Sequence, residues 1–314
     1  GLSETISLHR VAYGEGMERV YLLHSPRIAK IVLKRQGKVR RSKIYFLRGT
    51  KGKKAKVTIK PSEPDTGINF FRTDINKNNQ IKALWFNVTS TVLSTTISNK
   101  KNISVSTIEH LMSALSGMHI DNVDIFVDGP EIPIMDGSSK PFVDLFEQAG
   151  IELQNAHRKI IKVNKEVEVR IGDKFLKISP NKDFSLDFEI DFKSHLINKQ
   201  ACQLQLINGN YKNDVSFART FGFEKDVKEL RANGFALGGS LENAVVVGDN
   251  SILNKEGLRY KDEFVRHKIL DFIGDLYLAG CPVQGYFSGK KTGHYLNNLL
   301  LRKFMSDQSN FEII

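Results

Sequence analysis

Three acid-base side chains recur four residues apart in DEFVRHKILDFIGDLYLAG (262–280), namely His267, Asp271 and Asp275. Spacing of four places them on one face of an α-helix, each a turn above the last. Val265, Ile269, Phe272 and Leu276 supply an apolar stripe to bury such a helix, with Asp262 placed to cap its start and Gly280 its end. A His/Asp row on an anchored helix can hold a metal ion. It can equally be a solvated pair on a helix surface.

A second cluster, STIEHLMSALSG (106–117), sets Glu109 directly before His110 near a helix start. An imidazole binds a metal, while a carboxylate too far round the backbone to reach the ion can take a proton from water activated there. Ser106-x-x-Glu109 also fits a capping box, in which Glu109 would only reach back to the Ser106 amide. Capping leaves His110 unexplained. A third histidine, His294, follows Gly293 in KKTGHYLNN, which reads as a loop-to-helix turn. A lone loop histidine is usually a surface residue. The three segments make a site only if the fold brings them together.

From about Val57 onward the chain resembles the UDP-3-O-acyl-N-acetylglucosamine deacetylases, the zinc amidases of lipid A synthesis. The likeness is carried by SVSTIEHLMSALSGMHIDNVDIFVDGPEIPIMDGSS (104–139), SFARTFGF (216–223), ANGFALGGSLENAVVV (232–247), LRYKDEFVRHKILDFIGDLYLAG (258–280) and KTGHYLNNLLLRK (291–303). The resemblance implies that His110, His267 and Asp271 bind one Zn²⁺, that Glu109 is the general base, and that His294 is the acid, held by Asp275. It further implies that the Thr220 hydroxyl donates to the oxyanion and that Lys268 meets the substrate diphosphate. Phe221, Phe223, Gly239 and Ser240 are the remaining substrate contacts by the same implication. Two neutral imidazoles and one carboxylate leave a net positive charge, which polarises an amide carbonyl and acidifies water.

The substrate so implied is a UDP-linked acyl glucosamine, whose chain needs an apolar channel. The family builds one from an inserted strand-helix-strand unit. Phe217–Val247 reads that way, with a helix DVKELRAN, Gly-rich GFALGG and a β-branched AVVV run, although ordinary core strands fit the same pattern.

Elsewhere the pattern predicts an α+β chain. VTIKP (57–61), NVDIFVDG (122–129), IKVNKEVEVRI (161–171), LKISP (176–180) and FSLDFEIDF (184–192) alternate as strands do. SKPFVDLFEQAG (139–150) reads as a helix with Pro in its first turn and Gly at its end. The polar run QNAHRK (154–159) reads as a linker between domains at 57–155 and 156–314. The resemblance implies a two-domain sandwich, each half two helices packed on a sheet, with the site between.

Charge sets the N-terminus apart. Residues 1–57 hold 15 of the 46 basic and 3 of the 35 acidic residues, leaving 31 and 32 for the remainder. A net charge near +12 beside one near −1 is the signature of a nucleic-acid-binding segment joined to a near-neutral enzyme. GEGMERVYLLHSPRIAKIVLKRQGKVRRSKIYFLRGTKGK resembles the L-nineteen family of large-subunit ribosomal proteins. That likeness, over residues 1–56, implies rRNA phosphate contacts by Arg35, Lys38, Arg40, Arg41 and Lys43. A solvated basic hairpin is the bland alternative. The ribosomal-like part lacks its family's opening strands, and the deacetylase-like part lacks its family's leading strand and GLHSGKK-type loop. The join at Gly52-Lys53-Lys54 reads as a fusion, or a gene-assembly error, through a short GK-rich run common to both. IYFLRG (44–49) is the stretch able to replace the missing edge strand.

Two distant cysteines, Cys202 and Cys281, and the lack of a signal peptide or a membrane-length apolar run predict a cytoplasmic chain, expected to be a monomer.

Overall fold

The computed structural model describes the strands at 5–12, 15–22 and 45–48 and residues 56–207, 209–232, 236 and 238–314. The chain divides into two compact units, Gly1–Ser42 and Lys43–Ile314. In the first, β1 (Thr5–Ala12) and β2 (Glu15–Leu22) form an antiparallel hairpin. Arg35, Lys38, Arg40, Arg41 and Lys43, the expected RNA contacts, lie outside the described residues.

The second unit is α+β. It opens with β3 (Tyr45–Arg48), β4 (Lys56–Pro61), β5 (Ile68–Arg72) and β6 (Gln80–Lys82). A small antiparallel sheet follows, made of β7 (Val88–Ser90), β8 (Thr96–Ser98) and β9 (Ser104–Val105). After α1 (Glu109–Gly117), strand β10 (Val123–Val127) inserts between β4 and β5 and completes a five-stranded sheet of order β3-β4-β10-β5-β6. Alternation in VDIFV puts Val123, Ile125 and Val127 in the core, as a half-buried strand requires.

β3 pairs antiparallel with β4, Tyr45 opposite Ile59 and Arg48 opposite Lys56, so residues 45–48 of the 44–49 stretch occupy the edge of this sheet. The β3 amides that bond β4 are expected to exchange with deuterium more slowly than free-chain rates. Free-chain exchange at Tyr45–Arg48 would contradict the pairing.

α2 (Lys140–Ala149) starts with Pro141 in its first turn and ends at Gly150, whose φ of +76° suits a residue without Cβ. Residues 151–159 are exposed and carry neither helix nor strand. Arg158 fastens this stretch to Asp121 at 2.9 Å. The alternating run at 161–171 proves to be two strands, β11 (Ile161–Val163) and β12 (Val167–Ile171), broken at Asn164-Lys165-Glu166. β13 (Lys174–Ser179), β14 (Ser185–Asp191) and β15 (Lys199–Gln205) follow, then the short α3 (Tyr211–Asp214).

β16 (Phe221–Phe223), α4 (Glu224–Ala232) and β17 (Val245–Val247) form a strand-helix-strand unit with its two strands parallel. α5 (Glu263–Leu276) precedes β18 (Val283–Gln284), β19 (Tyr286–Lys290), α6 (His294–Met305) and β20 (Phe311–Ile313). β19 joins the second five-stranded sheet, order β12-β13-β19-β14-β15, while β11 lies between β18 and β20. α5 packs on β14 and β15, and α6 on β12 and β13, so this half is two helices on a sheet. α1 lies along both α2 and α5.

Candidate active site

α5 is the axis of the site. Val265, Ile269, Phe272 and Leu276 are buried as the stripe predicts, each such side chain contributing about 1.5–3 kcal/mol. The opposite row is buried too, since His267, Asp271 and Asp275 are at most 4% exposed. The surface-pair alternative therefore fails, and the helix is buried nearly all round because α1 covers its polar row. Its ends also differ from expectation. Asp262 makes no cap and instead binds Arg266 Nε at 2.7 Å. The α-helix stops at Leu276, and Gly280, φ +92°, ends a further 3₁₀ turn.

Helix α1 crosses α5 at a glycine. A Cβ on Gly274 would lie 2.1 Å from the Glu109 carbonyl oxygen, so only glycine allows this approach. The contact brings Glu109 and His110 against the α5 row. Glu109 does not cap its helix. Ser106 N–H donates to Pro130 O, and the Glu109 carboxylate, 3% exposed, accepts the Thr95 amide at 3.0 Å. The capping-box reading is thus replaced by a buried carboxylate whose partner lies fourteen residues upstream in sequence. Leu93 (φ +62°) and Thr107 (φ +57°) hold left-handed backbone just before Thr95 and Glu109, strain of the kind that gathers at functional sites.

His110, His267 and Asp271 offer ligand atoms that all lie within 4.8 Å of one another. Asp271 Oδ1 stands 3.3 Å from His267 Nε2 and 3.6 Å from His110 Nε2, is fully buried, and has no hydrogen-bond partner. Asp271 Oδ2 is occupied by Lys268 Nζ at 2.7 Å. His267 Nδ1–H donates to Ala218 O at 3.1 Å, which leaves the Nε2 lone pair facing the cluster. Burial holds the His267 pKa down to about 3, so its imidazole is neutral. Burial opposes the Asp271 charge, yet the Lys268 ammonium beside it keeps the carboxyl well below its usual range. The neutral His267 nitrogen beside an anionic oxygen with no proton donor to satisfy it fits a divalent cation.

Beyond this group lie His294 and Glu109. His294 begins α6, with Nδ1 2.8 Å from Asp275 Oδ2 and Nε2 3.7 Å from Glu109 Oε1. Burial alone would lower the His294 pKa, but the Asp275 and Glu109 carboxylates outweigh it and push it up to about 10. The imidazolium is the resting form at neutral pH. Burial raises the Glu109 pKa, and the His294 imidazolium pulls against that rise.

A histidine whose folded pKa is raised from 6.5 to about 10 stabilises the fold fully below the lower value and loses that contribution as pH climbs to the upper. The metal-free chain is therefore expected to lose unfolding free energy between about pH 7 and 10, and Asp275→Asn to lose less. Denaturant midpoints measured across that range check this, and equal slopes would contradict the pairing.

The other expected substrate residues divide into two groups. Lys268 and Phe221 lie at the cluster, with Lys268 Nζ 5.5 Å from the Phe221 ring and that ring 6.2 Å from His267. Thr220 N–H donates to Gly137 O at 2.7 Å, and its carbonyl accepts the Val245 N–H at 2.8 Å. Phe223 contacts Phe192 at 5.9 Å on the strand-helix-strand unit. Gly239 and Ser240 sit on its exposed loop, where Gly239 O accepts Arg231 and Ser240 N donates to Asn243 Oδ1.

Two buried pieces had no sequence signal. Thr95 and Asn297, at 1% and 3% exposure, both donate to Asp275. Arg219 clamps Glu263 through Nε at 2.9 Å and so locks the 218–220 backbone to the start of α5. The partners lie 22, 44 and 180 residues apart, beyond any local pattern.

A buried carboxylate, a buried imidazolium and a group of possible metal ligands stand together on an α+β frame. Comparison gives the class. Residues 49–306 match the family model for UDP-3-O-acyl N-acetylglycosamine deacetylase. The UDP-3-O-acyl-N-acetylglucosamine deacetylases of Shewanella pealeana, Haemophilus influenzae and a Psychrobacter species are 48%, 46% and 50% identical to this chain over 265 residues. Each alignment covers 84% of the chain, and 87%, 87% and 89% of those proteins respectively. The chain belongs to the UDP-3-O-acyl N-acetylglycosamine deacetylase family. Its residues 1–60 also match the family model for ribosomal protein L19, and the two matches overlap at 49–60, where the GK-rich run lies.

Proposed function

We propose that the chain is a zinc amidase that removes the N-acetyl group of UDP-3-O-(3-hydroxyacyl)-N-acetylglucosamine, releasing acetate, in the cytoplasmic stage of lipid A synthesis. The observation that carries this reading is the partnerless Asp271 Oδ1 between two imidazoles, beside Glu109 and His294. His110, His267 and Asp271 would hold the ion, which when bound polarises the amide carbonyl and lowers the pKa of water. Glu109 takes the proton of the attacking water. Thr220 donates its hydroxyl to the oxyanion. His294 delivers a proton to the leaving amine, and Asp275 keeps it charged for that purpose. Lys268, already paired to Asp271, places a positive charge where the diphosphate of the nucleotide would lie. Phe221 and Phe223 on the strand-helix-strand unit give the acyl chain an apolar wall, with Gly239 and Ser240 at its loop.

Acetate release from the acylated UDP-sugar, compared with UDP-N-acetylglucosamine, tests the substrate. Preference for the acylated compound is expected. Equal turnover of both would contradict a role for the acyl chain. No membrane-length apolar helix occurs among the described residues.

A second reading is favoured by the L19 match. Residues 1–56 would bind rRNA through their basic residues, independently of zinc. Salt-sensitive RNA binding that survives chelation supports it, and binding unaffected by salt would exclude phosphate contacts.

A further inference from the structure

We infer that Thr95 is a positioning residue that ties the general base and the general acid into one rigid unit, an assignment that rests on the amidase reading. It sits between β7 and β8, on neither helix that carries the reacting groups, and is 1% exposed. Its backbone N–H donates to Glu109 Oε2 at 3.0 Å. Its hydroxyl donates to Asp275 Oδ1 at 2.6 Å, and the same oxygen lies 3.2 Å from His294 Nδ1. A single residue therefore touches the base, the acid and the carboxylate that orients the acid.

The distribution of donors on Asp275 shows why the hydroxyl matters. Asp275 Oδ2 receives His294 Nδ1 at 2.8 Å and Asn297 Nδ2 at 2.8 Å, while Oδ1 receives Thr95. Removing the hydroxyl leaves a buried carboxylate oxygen short of a donor, a costly state that Asp275 relieves by turning. Turning draws the His294 ring with it, because Nδ1 follows the carboxylate. His294 Nε2 then leaves its place 3.7 Å from Glu109 Oε1, where one group must accept a proton and the other give one. Misplacement of an acid by a fraction of an ångström slows the chemistry without weakening substrate binding.

Valine is isosteric with threonine and keeps the backbone N–H, so Thr95→Val removes the hydroxyl alone. Acetate release by the full zinc-loaded chain is expected to show kcat about 10- to 100-fold lower with KM within about twofold. Thr95→Ser, which restores the hydroxyl, should recover kcat to within about threefold. In an Asp275→Asn background, Thr95→Val should add less than about threefold, because the two act through the same carboxylate. Unchanged kcat in Thr95→Val, a serine chain as slow as the valine chain, or fully multiplicative losses with Asp275→Asn would each overturn the assignment. If the valine chain does not fold, Thr95→Ala takes its place against Thr95→Ser. If the unsubstituted chain releases no acetate, the amidase reading fails. The pairing itself is then tested by proton NMR of the metal-free chain. A downfield His294 Nδ1 proton in wild type and Thr95→Ser that shifts in Thr95→Val supports the link, and an identical resonance in all three overturns it.

Discussion

Glu109→Gln is expected to cut kcat by about 10²–10⁴-fold while the chain keeps its zinc. Glutamine preserves shape and still offers a carbonyl oxygen to the Thr95 amide, the bond that now holds the side chain at 3.0 Å. It cannot accept the proton of the attacking water. The ligand set, His110, His267 and Asp271, is untouched, so metal content separates loss of the base from loss of the ion. Burial raises the Glu109 pKa and the His294 imidazolium pulls against that rise. Steady-state acetate release with zinc measured on the same preparation is the check. A zinc-replete Glu109→Gln chain with wild-type kcat would remove Glu109 from the chemistry.

His294→Ala is expected to lose a similar factor, about 10²–10⁴-fold in kcat, with KM changed little. The alanine chain is expected to retain zinc, because His294 lies outside the proposed ligands His110, His267 and Asp271. Asp275 keeps the Thr95 and Asn297 donors, at 2.6 and 2.8 Å, and so remains hydrogen-bonded after the imidazole is gone. The loss should therefore fall on catalysis more than on folding. A substrate with a better leaving amine needs less help from an acid and should recover part of the lost rate. A rate unaffected by the substitution, or a loss that leaving-group acidity does not relieve, would assign protonation to another group.

Sequence reading reached the parts of this site that local geometry encodes. A period of four on α5 places His267, Asp271 and Asp275 on one face whatever the tertiary fold, and the structure keeps that row. The helix at 140–149, bracketed by Pro141 and Gly150, is legible for the same reason. Local pattern misled where a long-range partner decided the outcome. Ser106-x-x-Glu109 has the form of a capping box, but the Thr95 amide competes for the carboxylate and wins because α1 is pressed onto α5 at Gly274. Asp262 differs in kind, since it is taken by Arg266 four residues on in the same helix rather than by the helix start. The buried Arg219–Glu263 pair joins residues 44 apart, and the Thr95–Asp275 bond joins residues 180 apart. No periodicity encodes such distances. Family likeness, not periodicity, implies the assembly of His110, His267 and Asp271, whose ligand atoms lie within 4.8 Å of one another.

The substrate end of the site was legible in outline only. β16, α4 and β17 form the strand-helix-strand unit that the run from 217 to 247 suggested, with Phe221 at the cluster and Phe223 farther along. Which side chains line an acyl channel depends on the packing of that unit and its loop, which alternation of residue types does not specify. The edge strand β3 is a further case, since its pairing with β4 reflects an open sheet edge as much as its own β-branched and aromatic composition.

The central claim is that His110, His267 and Asp271 hold a zinc ion required for amide hydrolysis. The most direct test follows zinc content and acetate release together, in one preparation of the full chain, as chelator strips the metal and added zinc restores it. Activity that falls and returns in proportion to about one zinc per chain, and a chain with Asp271→Ala that neither retains zinc nor regains activity, is the predicted result. Acetate release that continues at full rate after the zinc is gone would contradict the account.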